Sequence, residues 1–206
     1  MERKERTITN GHLGTGDPMS IWQIVALSGP RASGKSSIAK ILEEEYGFER
    51  LAFSDCLREI ASLSGASFVN DREFLAQLGD ILRGYDEDFI VNAMKKKLET
   101  TEKRIVIEDV RFPKEVEFCL ARDVKMVSIE VEHSEQIQRI MNREKSSHTE
   151  AVNLIQHKDN FLLGDGVEWD LVVQSEGEFS KIAEKVVALL ESRHDLDDGQ
   201  NWSPLP

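Results

Sequence analysis

The sequence predicts an α/β fold in which a five-stranded parallel sheet has helices on both faces. Five short apolar runs alternate with helical segments along most of the chain, a pattern typical of parallel strands joined by right-handed crossovers. The chain has 206 residues, of which 40% are hydrophobic, so it can bury the core of one ordinary domain. The first apolar run also leads into a glycine-rich loop followed by a helix. We therefore expect one three-layer α/β domain with terminal tails.

The glycine-rich loop is a complete phosphate-binding motif. Residues 29–36, GPRASGKS, match G-x-x-x-x-G-K-[ST] between a buried strand and a helix. Gly29 and Gly34 let successive backbone N–H groups turn inward, and the helix that begins at Gly34 adds its positive end. We expect Lys35 to reach the β- and γ-phosphates of a nucleoside triphosphate and Ser36 to bind Mg²⁺. The alternative is a glycine turn that binds nothing.

The formal net charge of −12 bears on the choice of partners. An acidic chain has no general attraction for nucleic-acid backbones or anionic membranes, so both are disfavoured as partners. The sequence contains no run of about 18 apolar residues, and residues 1–14 lack the apolar core of a signal peptide. A cytoplasmic location is the simplest expectation. Anionic nucleotides could bind only where cations gather locally, so the placement of arginines is informative.

Local signals place the strands and helices that follow the loop. Gly47 is expected to end the first helix, and residues 54–55 to cap the second. Asn70 and Glu73 form a predicted capping box for a helix that Gly84 is expected to stop. The predicted strands are residues 21–27, 48–53, 104–108, 126–131 and 170–173.

Two adjacent acids end the third apolar run. The run reads RIVIE over residues 104–108 and continues as DVRFP over residues 109–113. An apolar strand that ends in a carboxylate is the Walker B pattern, in which the acid orders the Mg²⁺ shell. Only one of Glu108 and Asp109 is expected to face the metal, and Asp109 is the residue that we assign.

Charged side chains are expected to collect at one edge of the sheet, because the carboxyl ends of parallel strands share that edge. Simpler readings remain for some of them. Asp55 could serve only as a helix cap, and Arg139 and Arg143, four residues apart, could form an exposed helix face. The charged residues expected at or near the edge are Arg31, Lys35, Asp55, Arg58, Arg83, Asp109, Arg111, Arg139 and Arg143.

Taken in this order, the motifs resemble those of the P-loop nucleoside and deoxynucleoside monophosphate kinases, most closely the phage-type deoxynucleotide kinases. Besides the loop, the resemblance rests on residues 53–59 (FSDCLRE), 78–83 (LGDILR), 109–113 (DVRFP) and 147–150 (SHTE), and it spans most of residues 22–190. Dephospho-coenzyme A kinases are a related group. The family's Asn-Asp-Gly turn after the fifth strand is replaced here by residues 174–177, QSEG.

The resemblance implies a domain plan for a P-loop NTPase fold. The kinase domain is expected over residues 21–192, with a helical acceptor-site insertion at about 62–100 and a lid at about 134–160. Residues 1–20 are expected to form a flexible leader and residues 193–206 a disordered tail.

It also implies an activity, the Mg²⁺-dependent transfer of the γ-phosphoryl group of ATP to a nucleoside or deoxynucleoside monophosphate. Two alternatives stay open, a kinase for another small molecule such as dephospho-coenzyme A and a P-loop ATPase without an acceptor. The implied catalytic residues are Lys35, Asp109, Arg139 and Arg143, the metal ligands Ser36 and Asp109, and the acceptor-binding residues Asp55, Arg58, Arg83 and Arg111. The implied ATP-binding residues are Gly29, Arg31, Ala32, Ser33, Gly34, Lys35, Ser36 and Ser37.

Overall fold

The structure is a computed structural model that describes residues 24–63, 65, 67–156 and 166–192. The predicted leader and tail, and the last residues of the lid predicted at about 134–160, lie outside the described residues. The strands are β1 (Ile24–Ser28), β2 (Glu49–Ala52), β3 (Ile105–Glu108), β4 (Lys125–Glu130) and β5 (Leu171–Gln174). The helices are α1 (Lys35–Tyr46), α2 (Phe53–Ser62), α3 (Arg72–Tyr85), α4 (Phe89–Leu98), α5 (Pro113–Leu120), α6 (His133–Glu144), α7 (His148–Ile155) and α8 (Phe179–Glu191).

The five strands form one sheet in the order β2-β3-β1-β4-β5, and every pairing is parallel. This confirms the predicted five-stranded parallel sheet. The central strand β1 lies between β3 and β4, so the loop that follows it is flanked by the carboxyl ends of both neighbours. The register pairs Leu27 of β1 with Glu108 of β3, which brings the acidic end of β3 beside the start of the loop.

The sheet separates two apolar cores, because successive side chains of a strand point to opposite faces. Val25 and Leu27 of β1 pack with α1 and α8, whereas Ile24 and Ala26 pack with α2, α4 and α5. All four side chains are buried. Helices therefore cover both faces, as the sequence predicted, and none in the described part of the chain is both long and apolar enough to cross a membrane.

A third, smaller core joins α6 to α7. Ile137 and Ile140 of α6 pack against Ala151 and Ile155 of α7, and all four side chains are buried. Ala32 of the phosphate-binding loop packs against this group. The helix pair is thus in apolar contact with the loop itself.

Two helix starts and one helix end differ from the sequence predictions. Helix α2 begins at Phe53, and Asp55 lies in its first turn, where it accepts a hydrogen bond from the Ala52 N–H (2.8 Å). Helix α3 is capped by Asp71, whose carboxylate accepts from the Phe74 N–H (2.9 Å), instead of by Asn70.

Gly84 does not end α3, which continues to Tyr85. A glycine inside a helix costs only about 1 kcal/mol relative to alanine. The apolar side of α3, with Leu75 buried and Leu78 and Leu82 packed against the core, outweighs that cost. Gly47 does end α1 as predicted, in the left-handed conformation (φ 73°).

Candidate active site

The phosphate-binding loop needs glycine at both ends for steric reasons. Gly29 has φ 143°, and a Cβ atom there would lie 2.2 Å from the carbonyl oxygen of Ile129 in β4. Gly34 has φ 96°, and a Cβ atom there would lie 2.5 Å from the ring of Phe179 in α8. Real Cβ atoms do not approach other atoms so closely. The two glycines therefore let the loop pack against β4 and α8 while its backbone turns.

Lys35 lies at the centre of the loop and is only 7% exposed. Its ammonium donates hydrogen bonds to the carbonyl oxygens of Gly29 (2.7 Å) and Pro30 (2.8 Å). It is also 3.4 Å from Oδ1 of Asp109. Burial lowers the pKa of Lys35, and the Asp109 carboxylate opposes that shift. The loop thus encloses a cation whose protein partners are two carbonyl groups, the Ser33 hydroxyl (3.5 Å) and one acid.

Asp109, directly after β3, is the acid that faces the loop. It has a left-handed backbone (φ 65°), uncommon for a residue other than glycine, and its N–H donates to the carbonyl oxygen of Leu27 (2.9 Å). Its Oδ2 forms a 2.5 Å ion pair with Arg111, and its buried Oδ1 accepts no hydrogen bond. Burial alone would raise the pKa of Asp109, but Lys35 and Arg111 hold it below its ordinary value.

Glu108 faces the neighbouring strand β2 instead of the phosphate-binding loop. Its carboxylate accepts a hydrogen bond from Nε of Arg50 on the neighbouring strand β2 (2.8 Å) and is bound by the same guanidinium through a second nitrogen. The two adjacent acids were alternatives for the metal-ordering role. Glu108 binds Arg50 on β2, whereas Asp109 faces the phosphate-binding loop.

Glu115 supports the turn between Asp109 and α5 and was not among the predicted site residues. Its buried carboxylate accepts hydrogen bonds from the backbone N–H groups of Arg111 (2.8 Å) and Phe112 (3.1 Å). Burial raises the pKa of Glu115 to about 7, although the two N–H groups oppose the shift. The sequence signal was present, since Glu115 stands three residues after the cap position and Pro113 opens the helix.

Replacing Glu115 with glutamine is expected to remove a pH-dependent part of the stability. The folded protein keeps this proton up to about pH 7, whereas the unfolded chain loses it near pH 4.5. The free energy of unfolding contributed by Glu115 therefore falls as pH rises across that interval, by about 3 kcal/mol at about 1.4 kcal/mol per pH unit. Urea unfolding at pH 4, 6 and 8 should show E115Q gaining stability relative to the wild type as pH rises.

Glu117→Gln is the control for that experiment, because Glu117 is an exposed acid on the same helix. It should follow the pH dependence of the wild type. Parallel curves for E115Q and the wild type would contradict the assignment of a folded-state proton to Glu115.

Helix α6 holds the loop from outside through two side chains. Gln136 is buried and donates from Nε2 to the carbonyl oxygen of Arg31 (2.8 Å). Arg139 donates to the Ala32 carbonyl oxygen (3.3 Å) and to both the hydroxyl (2.7 Å) and the carbonyl oxygen (2.6 Å) of Ser175. Ser175 lies just after β5, in the segment that departs from the kinase pattern. Arg139 therefore connects α6 to the loop and to the end of β5.

Glu144 binds two arginines at the end of α6, a role that no sequence motif predicted. Its Oε1 is 2.9 Å from a terminal nitrogen of Arg31 in the loop and 2.9 Å from one of Arg143. Both guanidiniums hold the pKa of Glu144 below its ordinary value, with the Arg31 hydrogen bond as the main cause. The carboxylate joins the loop to the last turn of α6.

The loop, Asp109 and several arginines line a cavity of about 380 Å³ at the carboxyl edge of the sheet. It combines six cationic side chains with a single carboxylate, although the chain as a whole carries −12. Arg72 and Phe179 line it and were not predicted. The lining residues are Arg31, Ala32, Ser33, Gly34, Lys35, Ser36, Ser37, Arg72, Asp109, Arg111, Arg139, Arg143 and Phe179.

Three of the predicted acceptor-binding residues do not line this cavity. Asp55 and Arg58 form an ion pair with each other (2.8 Å). Arg83 stacks on the ring of Phe112 (3.7 Å to the centroid) and lies 3.2 Å from Asp80. The fourth, Arg111, does line the cavity, and the roles assigned to all four stay predictions.

Solved structures with this architecture include kinases that carry different acceptors in their names. The protein is similar to shikimate kinase from Acinetobacter baumannii, solved with shikimate, with a TM-score of 0.53 and 16% identity over 82% of this chain and 93% of that one. It is also similar to the APS kinase of Mycobacterium tuberculosis, with a TM-score of 0.50 and 16% identity over 81% of this chain and 96% of that one. At such identities the likeness shows the fold alone.

Two sequence comparisons bear on the family. A curated cytidylate kinase from Sulfurisphaera tokodaii is 26% identical over 178 residues, which cover 78% of this chain and 93% of the relative. The sequence model of a family described as AAA domain matches residues 25–159, well over half of the chain. That segment begins in β1 and includes the phosphate-binding loop, Asp109 and the whole of α6 and α7. The chain therefore belongs to the AAA domain family.

Proposed function

We propose that this protein is an ATP- and Mg²⁺-dependent phosphotransferase that moves the γ-phosphoryl group of ATP to a nucleoside or deoxynucleoside monophosphate. The observation that carries the proposal is the cavity at the loop, where six cations face one carboxylate in an acidic chain. Two phosphate-bearing substrates bring more negative charge than one triphosphate, and such a concentration of cations suits their combined charge.

The donor half of the site is the loop with α6. Backbone N–H groups of the loop and the Lys35 ammonium would bind the triphosphate, with Lys35 exchanging its bonds to the loop carbonyls for bonds to phosphate oxygens. Arg139 and Arg143 would neutralise charge from the side of α6. Residues 134–160 would act as the lid that excludes water during transfer.

The residues present fit a Mg²⁺ ion. Ser36 is an exposed residue in the first turn of α1, and Asp109 offers a buried Oδ1 that accepts no hydrogen bond. Hydroxyl and carboxylate oxygens are ligands that Mg²⁺ prefers, together with phosphate oxygens and water. When bound there, the ion would neutralise charge on the β- and γ-phosphates.

The protein has to position the two substrates for direct transfer, and no covalent intermediate forms on it. An oxygen of the acceptor's phosphate attacks the γ-phosphorus, a new P–O bond forms, and the bond from that phosphorus to the β,γ-bridging oxygen breaks to release ADP. Arg111 is placed to hold the acceptor phosphate, because it leaves the turn after β3 beside Asp109 and lines the cavity. Asp55, Arg58 and Arg83 are proposed to contact the rest of the acceptor.

The choice of acceptor follows the sequence relatives. A relative that matches 78% of this chain is named a cytidylate kinase, which supports a nucleoside monophosphate and makes CMP the first acceptor to test. The shikimate and APS kinases share the architecture with other acceptors. For that reason the architecture alone does not distinguish a nucleotide from another small molecule.

A coupled assay of ADP release, run with a panel of acceptors, tests the proposal. The panel contains ribo- and deoxyribonucleoside monophosphates, dephospho-coenzyme A, shikimate and no acceptor. We expect at least one nucleoside monophosphate, CMP first, to stimulate ADP release and to yield the matching diphosphate. Stimulation by a non-nucleotide alone, or steady hydrolysis that no acceptor raises, would contradict the proposal.

A further inference from the structure

Arg72 connects the helical insertion to the cavity. It is the first residue of α3, directly after the cap residue Asp71, and α3 lies within the predicted insertion of residues 62–100. Its side chain is solvent-accessible at the cavity rim, where it lines the same space as the phosphate-binding loop. An arginine of the acceptor-side insertion therefore faces the donor-side loop.

Arg72 differs from the other cations of the cavity in its bonding. Within the described part of the chain, its guanidinium donates no hydrogen bond and forms no ion pair. Each of the other five has a protein partner that holds its charged group in place. The partners are Asp109 for Lys35 and Arg111, Glu144 for Arg31 and Arg143, and Glu135 and Ser175 for Arg139.

The surroundings of Arg72 are themselves cationic. Partial burial lowers its pKa first, and the charges of Arg31 and Arg143 lower it further, while Glu144 opposes them only in part. A guanidinium that lies near other cations and forms no ion pair with a carboxylate is unfavourable unless an anion binds to it. Here that anion would be a ligand. Arg111, which is proposed to hold the acceptor phosphate, also acts on Arg72, but less strongly than Arg31 of the loop and Arg143 of α6. The donor side is therefore the better match for that anion.

We propose that Arg72 binds the terminal phosphate of the donor triphosphate, beside Arg31 and Arg143, and so links the acceptor-side insertion to the donor. The inference rests on the proposed function in taking a nucleoside triphosphate as the donor. Arg58 and Arg83 are less suited to this role, because local acids already bind them. A guanidinium matches phosphate oxygens in a planar, two-point geometry that a lysine cannot reproduce.

Anion binding without turnover tests the assignment directly. Inorganic tripolyphosphate, a non-hydrolysable ATP analogue, ADP and CMP are titrated by calorimetry against wild type, R72A, R72K and K96A. Lys96 is an exposed cation at the end of α4, in the same insertion but outside the cavity, so K96A removes equal charge. We expect R72A to weaken binding of tripolyphosphate and of the analogue by about 10-fold or more, as for a charge-assisted hydrogen bond, with ADP and CMP nearly unchanged. K96A should match the wild type, and R72K should recover only part of the loss.

The outcomes separate this inference from the proposed function. Equal binding by R72A and K96A would overturn it, and so would a loss confined to CMP. If no acceptor stimulates wild-type turnover but R72A still binds tripolyphosphate more weakly than the wild type, the phosphotransferase proposal fails while the role of Arg72 stands. Thermal melting checks the fold, and if R72A does not fold, R72K decides the question by the same comparison.

Discussion

Replacing Lys35 with alanine is expected to lower phosphoryl transfer by about 10³-fold or more. The ammonium is enclosed by the loop and is within bonding distance of two loop carbonyl oxygens and near Asp109. Three of the cavity arginines, Arg31, Arg111 and Arg143, are bound to Glu144 or Asp109, so they are not free to take its place at the centre of the loop. Initial rates of ADP release at saturating ATP measure the loss.

The fold of the Lys35→Ala protein should survive, because the change removes a buried charge whose desolvation is unfavourable. Thermal melting and far-UV circular dichroism check this. Lys40→Ala is the matched control, since Lys40 lies on the same helix with an exposed side chain paired to Glu44 (3.6 Å). A folded Lys35→Ala protein with the activity of the control would overturn the role assigned to Lys35.

Replacing Asp109 with asparagine is expected to lower turnover by about 10²- to 10³-fold, whereas Glu108→Gln should cost far less. The two acids are adjacent in sequence and similar in chemistry. Asp109 faces Lys35, whereas Glu108 is bound to Arg50 on β2. Both substitutions replace a carboxylate by an amide, so a difference in turnover between them reports on the position of the acid.

Metal binding separates the two variants without relying on activity. Asp109→Asn should weaken the binding of Mn²⁺, a spectroscopic substitute for Mg²⁺, in the presence of ADP, as followed by electron paramagnetic resonance. Glu108→Gln should bind Mn²⁺ like the wild type. Equal weakening in both variants, or in neither, would argue against Asp109 as the metal ligand.

The sequence predicted the architecture because that information is local and repeated. Five apolar runs that alternate with helical segments are enough to place five strands, and the loop motif follows the first of them. Helix starts were less certain, since neighbouring residues compete for one cap. Asn70 and Asp71 are both good caps, and Asp71 takes the position in the structure.

The site was only partly predictable, because long cationic side chains take their partners from the tertiary structure. Arg58 and Arg83 read as phosphate ligands in the sequence, yet each is bound to an acid three residues earlier. Arg72 is not part of any of the sequence motifs, and it reaches the cavity only because of where α3 begins. Nothing in the pattern shows that the Glu144 carboxylate lies between Arg31 and Arg143.

The small core between α6 and α7 has a consequence for local unfolding. Among the described residues, four buried side chains form it, and it is separate from the two cores of the sheet. Such a unit opens at a lower free energy than the central strands, so its amides should exchange with solvent earlier than those of β1. Each opening would also withdraw Gln136 and Arg139 from the carbonyl groups of Arg31 and Ala32. The order of the phosphate-binding loop is therefore coupled to a small peripheral core, although the loop begins at the fully buried strand β1.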